Sequence, residues 1–192
     1  MFAACTHFGE ASNRQRRDGF TLIETALATI IIGVAVLAIM AAQQAFHKQN
    51  AWSSRVSIAM ALAHNIREAT WDLAQHDPVT GCTGETHSVS STLELNEDPT
   101  LFSTWDDLDD FDLVCFNPPI NARRDDIANM QQWWQCVSVF DVNPFNINEI
   151  ETLCTSDVMK VQVEVYFQGS GASTLSPDTP LVTTVSWIAP NH

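Results

Sequence analysis

Basic residues are scarce in this chain of 192. Nine Lys and Arg stand against 23 Asp and Glu, a formal charge of −14. A surface so acidic repels phosphate backbones, so nucleic acid is not an expected partner. Familiar catalytic spacings are missing too. No G-x-S-x-G surrounds a serine, and no Cys–His arrangement suggests a nucleophile. The cysteines include no C-x-x-C, and His47, His64, His76 and His87 pair at no metal-ligand spacing, which argues against zinc. Gly169-Ser170-Gly171 is neither a dinucleotide fingerprint nor a phosphate loop, because its context is a hairpin. An enzyme is not expected. Helix breakers are absent as well: no Gly or Pro occurs from Val34 to Asp77.

What fills that breaker-free stretch begins as a membrane-like run. From Phe20 to Ala42 the only charged side chain is Glu24. As a helix these residues extend about 34 Å, enough for a bilayer core of roughly 30 Å. A carboxylate near one end of such a segment is expensive in lipid and calls for a partner that neutralises it. Ahead of the run stand Arg14, Arg16 and Arg17, which hold an N-terminus on the cytoplasmic side. A cleavable secretory signal has a shorter core and a small-x-small site, so the length of this run argues against one. A twin-arginine signal fits Gly19 and the apolar run poorly, and Cys5 has too few residues before it for a lipoprotein site. An uncut signal anchor stays open.

Arg16-Arg17-Asp18-Gly19-Phe20-Thr21-Leu22-Ile23-Glu24 resembles the processing site of type IV prepilins and type II secretion pseudopilins. The resemblance is close over residues 14–44 and general in character to about residue 75. It implies cleavage between Gly19 and Phe20 by a prepilin peptidase, with N-methylation of Phe20. It further implies that Glu24 faces the free amine of a neighbouring subunit, two charges that are tolerable in lipid as a pair. Members of that family often carry a helix-bending proline about one membrane width in; this chain has none, so a straighter helix is expected.

Removal of residues 1–19 takes away three arginines and two acidic residues, leaving 6 Lys and Arg against 21 Asp and Glu, a charge of −15. Cys5 leaves as well. Cys82, Cys115, Cys136 and Cys154 then lie on the exported side, where disulfides persist. Three connectivities are open; joining neighbours in the chain favours Cys82–Cys115 with Cys136–Cys154.

Trp52, Val56, Ala59, Ala63, Ile66, Ala69 and Leu73 repeat at helical spacing, so the membrane helix is expected to continue as an amphipathic stalk over 43–76. A break near Gln43-Gln44 is the alternative. Asp77-Pro78 ends the pattern and opens a head spanning 77–192. Residues 78–132 read as loop-rich. Strands are expected over Trp133–Val142, Met159–Phe167 and Leu181–Ile188, of which Met159–Phe167 alternates most clearly. Trp133 and Trp134 are expected to divide between core and surface. The fold class is α+β: a long N-terminal transmembrane and stalk helix packed on a C-terminal antiparallel sheet, a layout that also resembles pilins.

Trp105-Asp106-Asp107-Leu108-Asp109-Asp110-Phe111-Asp112 offers five carboxylates, Asp106, Asp107, Asp109, Asp110 and Asp112, as oxygen ligands for calcium. Some pseudopilins bind calcium in a head loop. The spacing is not that of an EF-hand, since the sixth position from Asp107 is Asp112 and the twelfth is Pro118. The competing reading is a solvated acidic turn anchored by Leu108, Phe111 and Leu113. No other cofactor is expected.

The resemblance implies a minor pilin-like subunit of a type IV pilus-type filament, anchored in the bacterial inner membrane with its head outside the cytoplasm. Its partners would be the prepilin peptidase, other pilin or pseudopilin subunits, the inner-membrane assembly machinery and, before assembly, the bilayer. The alternatives are a pseudopilin of a type II secretion system and an uncut, single-pass anchored binding or adhesive domain.

Overall fold

Apolar spacing sets the course of the chain in a computed structural model, which describes residues 19–76, 81, 101–102, 104–152, 154–169 and 174–189. Helix α1 (Leu22–Thr70) is unbroken through Gln43-Gln44. Two compact units divide the chain between Gln49 and Asn50. The first holds α1 as far as Gln49. Its apolar side chains are exposed, among them Ile30, Ile31, Ile32 and Leu37. Among the described residues this helix alone is long and apolar enough to cross a membrane.

The second unit, from Asn50 on, has a core of its own. Ala59, Leu62, Ala63, Ile66 and Ala69 of α1 are buried in it. Their alanines allow close approach, and the long side chains at 62 and 66 fill the space between. Four of these buried residues lie on the expected face, which Leu62 joins; Trp52 is half exposed, and Leu73 lies beyond the helix end, packed against the core. The helix stops at Thr70 rather than near 76, and side-chain donors satisfy carbonyls of its last turn. Thr70 Oγ1 donates to Ile66 O (2.9 Å), and Arg124 Nη2 donates to Ala69 O (3.3 Å). Ala74 then pairs with Asp107, and Leu108 N–H donates to Ala74 O (2.9 Å).

The sheet is antiparallel throughout. Strands β1 (Cys115–Phe116), β2 (Trp133–Asn143), β4 (Met159–Phe167) and β5 (Leu181–Ile188) lie in the order β1-β2-β4-β5, with β3 (Asn146–Ile150) paired to β2. Residues of β4 alternate strictly: Met159, Val161, Val163 and Val165 are buried, with half-buried Lys160, Gln162 and Glu164 between. Trp133 is buried and Trp134 half-buried, as the pleat of β2 requires. Each buried Val or Ile contributes about 1.5–3 kcal/mol. The β3 strand escapes the sequence pattern because it is exposed along its whole length and so carries no apolar alternation.

One expectation is corrected here. Cys115 is disulfide-bonded to Cys136, not to Cys82, and Cys154 is disulfide-bonded to neither of them. The cause is strand register: β1 runs antiparallel beside β2 with Cys115 directly opposite Cys136, their Cα atoms 4.0 Å apart. Sheet pairing sets this bond. Cys82 and His87 lie outside the described residues.

Candidate functional site

At the start of α1, Gly19, Phe20 and Thr21 are non-helical and exposed. A Cβ added to Gly19 meets nothing within 4 Å, so the fold places no demand for glycine there. Phe20 is 85% exposed and packs into no core. Thr21 and Glu24 form a reciprocal capping box. Thr21 N–H donates to Glu24 Oε2 (3.0 Å), Thr21 Oγ1 donates to the same oxygen (3.1 Å), and Glu24 N–H donates to Thr21 Oγ1 (3.4 Å). Glu24 thus has a local duty: it satisfies donors that the first helical turn leaves open.

The five aspartates of the acidic loop do not act together. A short 3-10 turn over Asp109–Phe111 gathers ligand atoms of Asp106, Asp107 and Asp110 within 4.8 Å of one another. Asp112 is spent elsewhere, accepting the Val139 N–H at 2.6 Å and so completing the β2 edge where β1 has ended. Asp109 faces His76 at 3.6 Å. Of the expected anchors, Leu108 and Phe111 are buried, but Leu113 is 70% exposed with φ of 58°. Trp105 does that work, packing edge-on to Phe102 and Phe111 with centroids 4.9 and 5.0 Å apart.

Burial dominates the electrostatics of this loop. Asp107 is 1% exposed. Desolvation pushes its carboxyl up to about 10, helped by the hydrogen bond and charge of Asp109 and by the charge of Asp110, and opposed by the Asp110 N–H. A cation is already at hand. The Arg124 guanidinium feels the charges of Asp110 and Asp106, which oppose the downward pull of its own burial. It donates to Phe102 O (3.0 Å) and lies over the Phe111 ring, 5.5 Å from the centroid. With its bond to Ala69 O, Arg124 ties the helix end to the acidic loop. Sequence reasoning missed this residue, which stands in a polar turn with no periodic signal. Gln135 was missed for a related reason: it interrupts an apolar strand face. It is fully buried, accepts the Ile120 N–H (2.7 Å) and donates to Leu62 O (2.7 Å).

His47 and His64 are exposed on α1. Comparison with protein-family models, curated proteins and solved structures finds no match to this chain.

Proposed function

We propose that this chain is a pilin-like structural subunit, cut between Gly19 and Phe20 and assembled through α1 into a type IV pilus-type filament, with no enzymatic role. The observation that carries the reading is the junction at residues 19–24. An exposed glycine that the fold does not need stands in front of an exposed aromatic, a capped helix start and an apolar segment of membrane length. Packing gives no reason for Gly19 or Phe20, whereas recognition by a prepilin peptidase gives one. The head is then carried outside the cytoplasm, where the Cys115–Cys136 disulfide is stable. The filament neighbours, the peptidase and the assembly machinery are its partners in this reading. Membership of a secretion pseudopilus is the same reading in a different machine.

Substitution at Gly19 tests the reading without disturbing the fold, since a Cβ there meets nothing within 4 Å. In cells with an active prepilin peptidase, the wild-type chain is expected to lose its leader and Gly19→Val to keep it. Equal electrophoretic mobility of both chains, with and without the peptidase, would leave an uncut anchored domain.

A further inference from the structure

Strand β5 is an open sheet edge of unusual composition. Among the described residues it pairs only with β4. Leu181-Val182-Thr183-Thr184-Val185-Ser186-Trp187-Ile188 contains no charge and no proline, and no charged residue occurs from Thr179 to Ala189. Edge strands are ordinarily protected by lysine, proline, bulges or a cover, because their free N–H and C=O groups template another strand. Here Leu181 and Ile188 are 43% and 40% exposed at the two ends of the strand.

The ladder with β4 fixes which backbone groups are free. Ala189 N–H donates to Met159 O (2.9 Å), so Met159 and Ala189 form a hydrogen-bonded pair. Alternation along the register turns the backbone groups of Trp187, Val185 and Thr183 toward β4, and those of Ile188, Ser186 and Thr184 outward. A second β5 running antiparallel, centred on Val185, sets Thr184 opposite Ser186 twice by symmetry. It also sets Val185 opposite itself and Val182 opposite Ile188. The Thr184–Ser186 pairs then exchange the outward N–H and C=O groups. Hydroxyl faces hydroxyl at the Thr184–Ser186 pairs and aliphatic faces aliphatic at Val185 and at Val182–Ile188, combinations that favour cross-strand pairing, while Thr183 lies opposite Trp187. The one register shift against β4 falls at Val182, at the strand end, and leaves the central pairs intact.

Charge permits this occupant: two chains of net charge −14 repel where acidic surfaces meet, and β5 carries no charge to oppose a copy of itself. We propose that β5 is a pairing edge for a second copy of this chain, joining two heads into one continuous antiparallel sheet through a two-fold contact. The contact uses head residues alone and does not depend on processing at Gly19.

The test is sedimentation equilibrium of the full chain in detergent micelles over a range of protein concentrations. A reversible dimer is expected, with Thr184→Pro and Ser186→Lys each raising its dissociation constant about tenfold or more. Proline at 184 removes an outward N–H, the position at which a sheet edge tolerates it. Lysine at 186 leaves every β4 bond in place and serves if the proline variant does not fold. Register is read by mixing Thr184→Cys and Ser186→Cys chains, which should form the mixed intermolecular disulfide in excess over either symmetric one. A monomer at every concentration overturns the proposal. So does a dimer that Ser186→Lys leaves unchanged, which would locate association elsewhere on the chain.

Discussion

At the scale of single residues, position decides what a carboxylate does. Five aspartates in seven positions look interchangeable in sequence, yet Asp112 completes a strand edge and Asp107 is sealed at 1% exposure. Nothing in an acidic run distinguishes the buried members, Asp107, Asp110 and Asp112, from the exposed Asp106, so those roles were not legible beforehand. The folded chain keeps a proton on Asp107 that the unfolded chain releases above its ordinary value of 3.8. Stability of the head therefore falls as pH rises from that value toward about 10. Asp107→Asn, uncharged throughout, should melt at least about 4 °C higher than wild type at pH 8 and show a flatter stability profile across that window. A variant less stable at every pH would contradict this. With Arg124 and a proton balancing the cluster, excess calcium or chelator is expected to leave the wild-type melting temperature unchanged. A calcium-dependent rise that Asp107→Asn abolishes would instead make Asp106, Asp107 and Asp110 cation ligands. Glu24 has two duties to separate. Glutamine preserves the capping box but not the charge. If the carboxylate neutralises a neighbour's ammonium, Glu24→Gln and Glu24→Ala should both be excluded from filaments while their heads melt normally. Filaments containing Glu24→Gln at the wild-type level would reduce Glu24 to a helix cap.

At the scale of elements, legibility tracks periodicity. β4 and β5 have the bounds that their composition predicts, because alternation or β-branching runs their full length. The lower half of α1 was legible as a helix and in most of its facing, since Ala59, Ala63, Ile66 and Ala69 are buried; what the pattern did not reveal is that Leu62 joins that face and that Trp52 stays half exposed. Its end at Thr70 was hidden because the cation that meets the last turn, Arg124, is distant in sequence and reaches Ala69 O only in the folded chain. β3 carries no pattern at all. The Cys115–Cys136 bond depended on the pairing of a two-residue strand, which no local signal announces. Between elements, Gln135 is the chief polar link: its side chain joins β2 to α1 at Leu62 and to the turn at Ile120. Gln135→Leu keeps the volume apolar but leaves Leu62 O and both backbone groups of Ile120 without that partner. A loss of roughly 2–4 kcal/mol in chemical denaturation is expected, more than an apolar swap in a core costs. A neutral or stabilising change would show that those groups find other partners.

At the scale of the whole molecule, charge and hydropathy are partitioned along the chain. No acidic residue occurs between Glu24 and Glu68, while the chain from Glu68 on is strongly acidic. An apolar, capped helix long enough to cross a membrane leads into a unit with its own buried core, so the apolar segment and the folded core draw on separate residues. That separation is what a filament subunit requires: a segment able to leave lipid for a helical bundle while the head stays folded. It also predicts that substitutions at Gly19 and Glu24 act on processing and assembly without moving the melting temperature of the head. The central claim, that residues 1–19 are a leader removed before assembly, is met most directly by the mass and N-terminal sequence of the protein recovered from membranes. The account predicts a chain beginning at Phe20 and heavier by one methyl group. An intact leader, in cells whose prepilin peptidase is active, would contradict it.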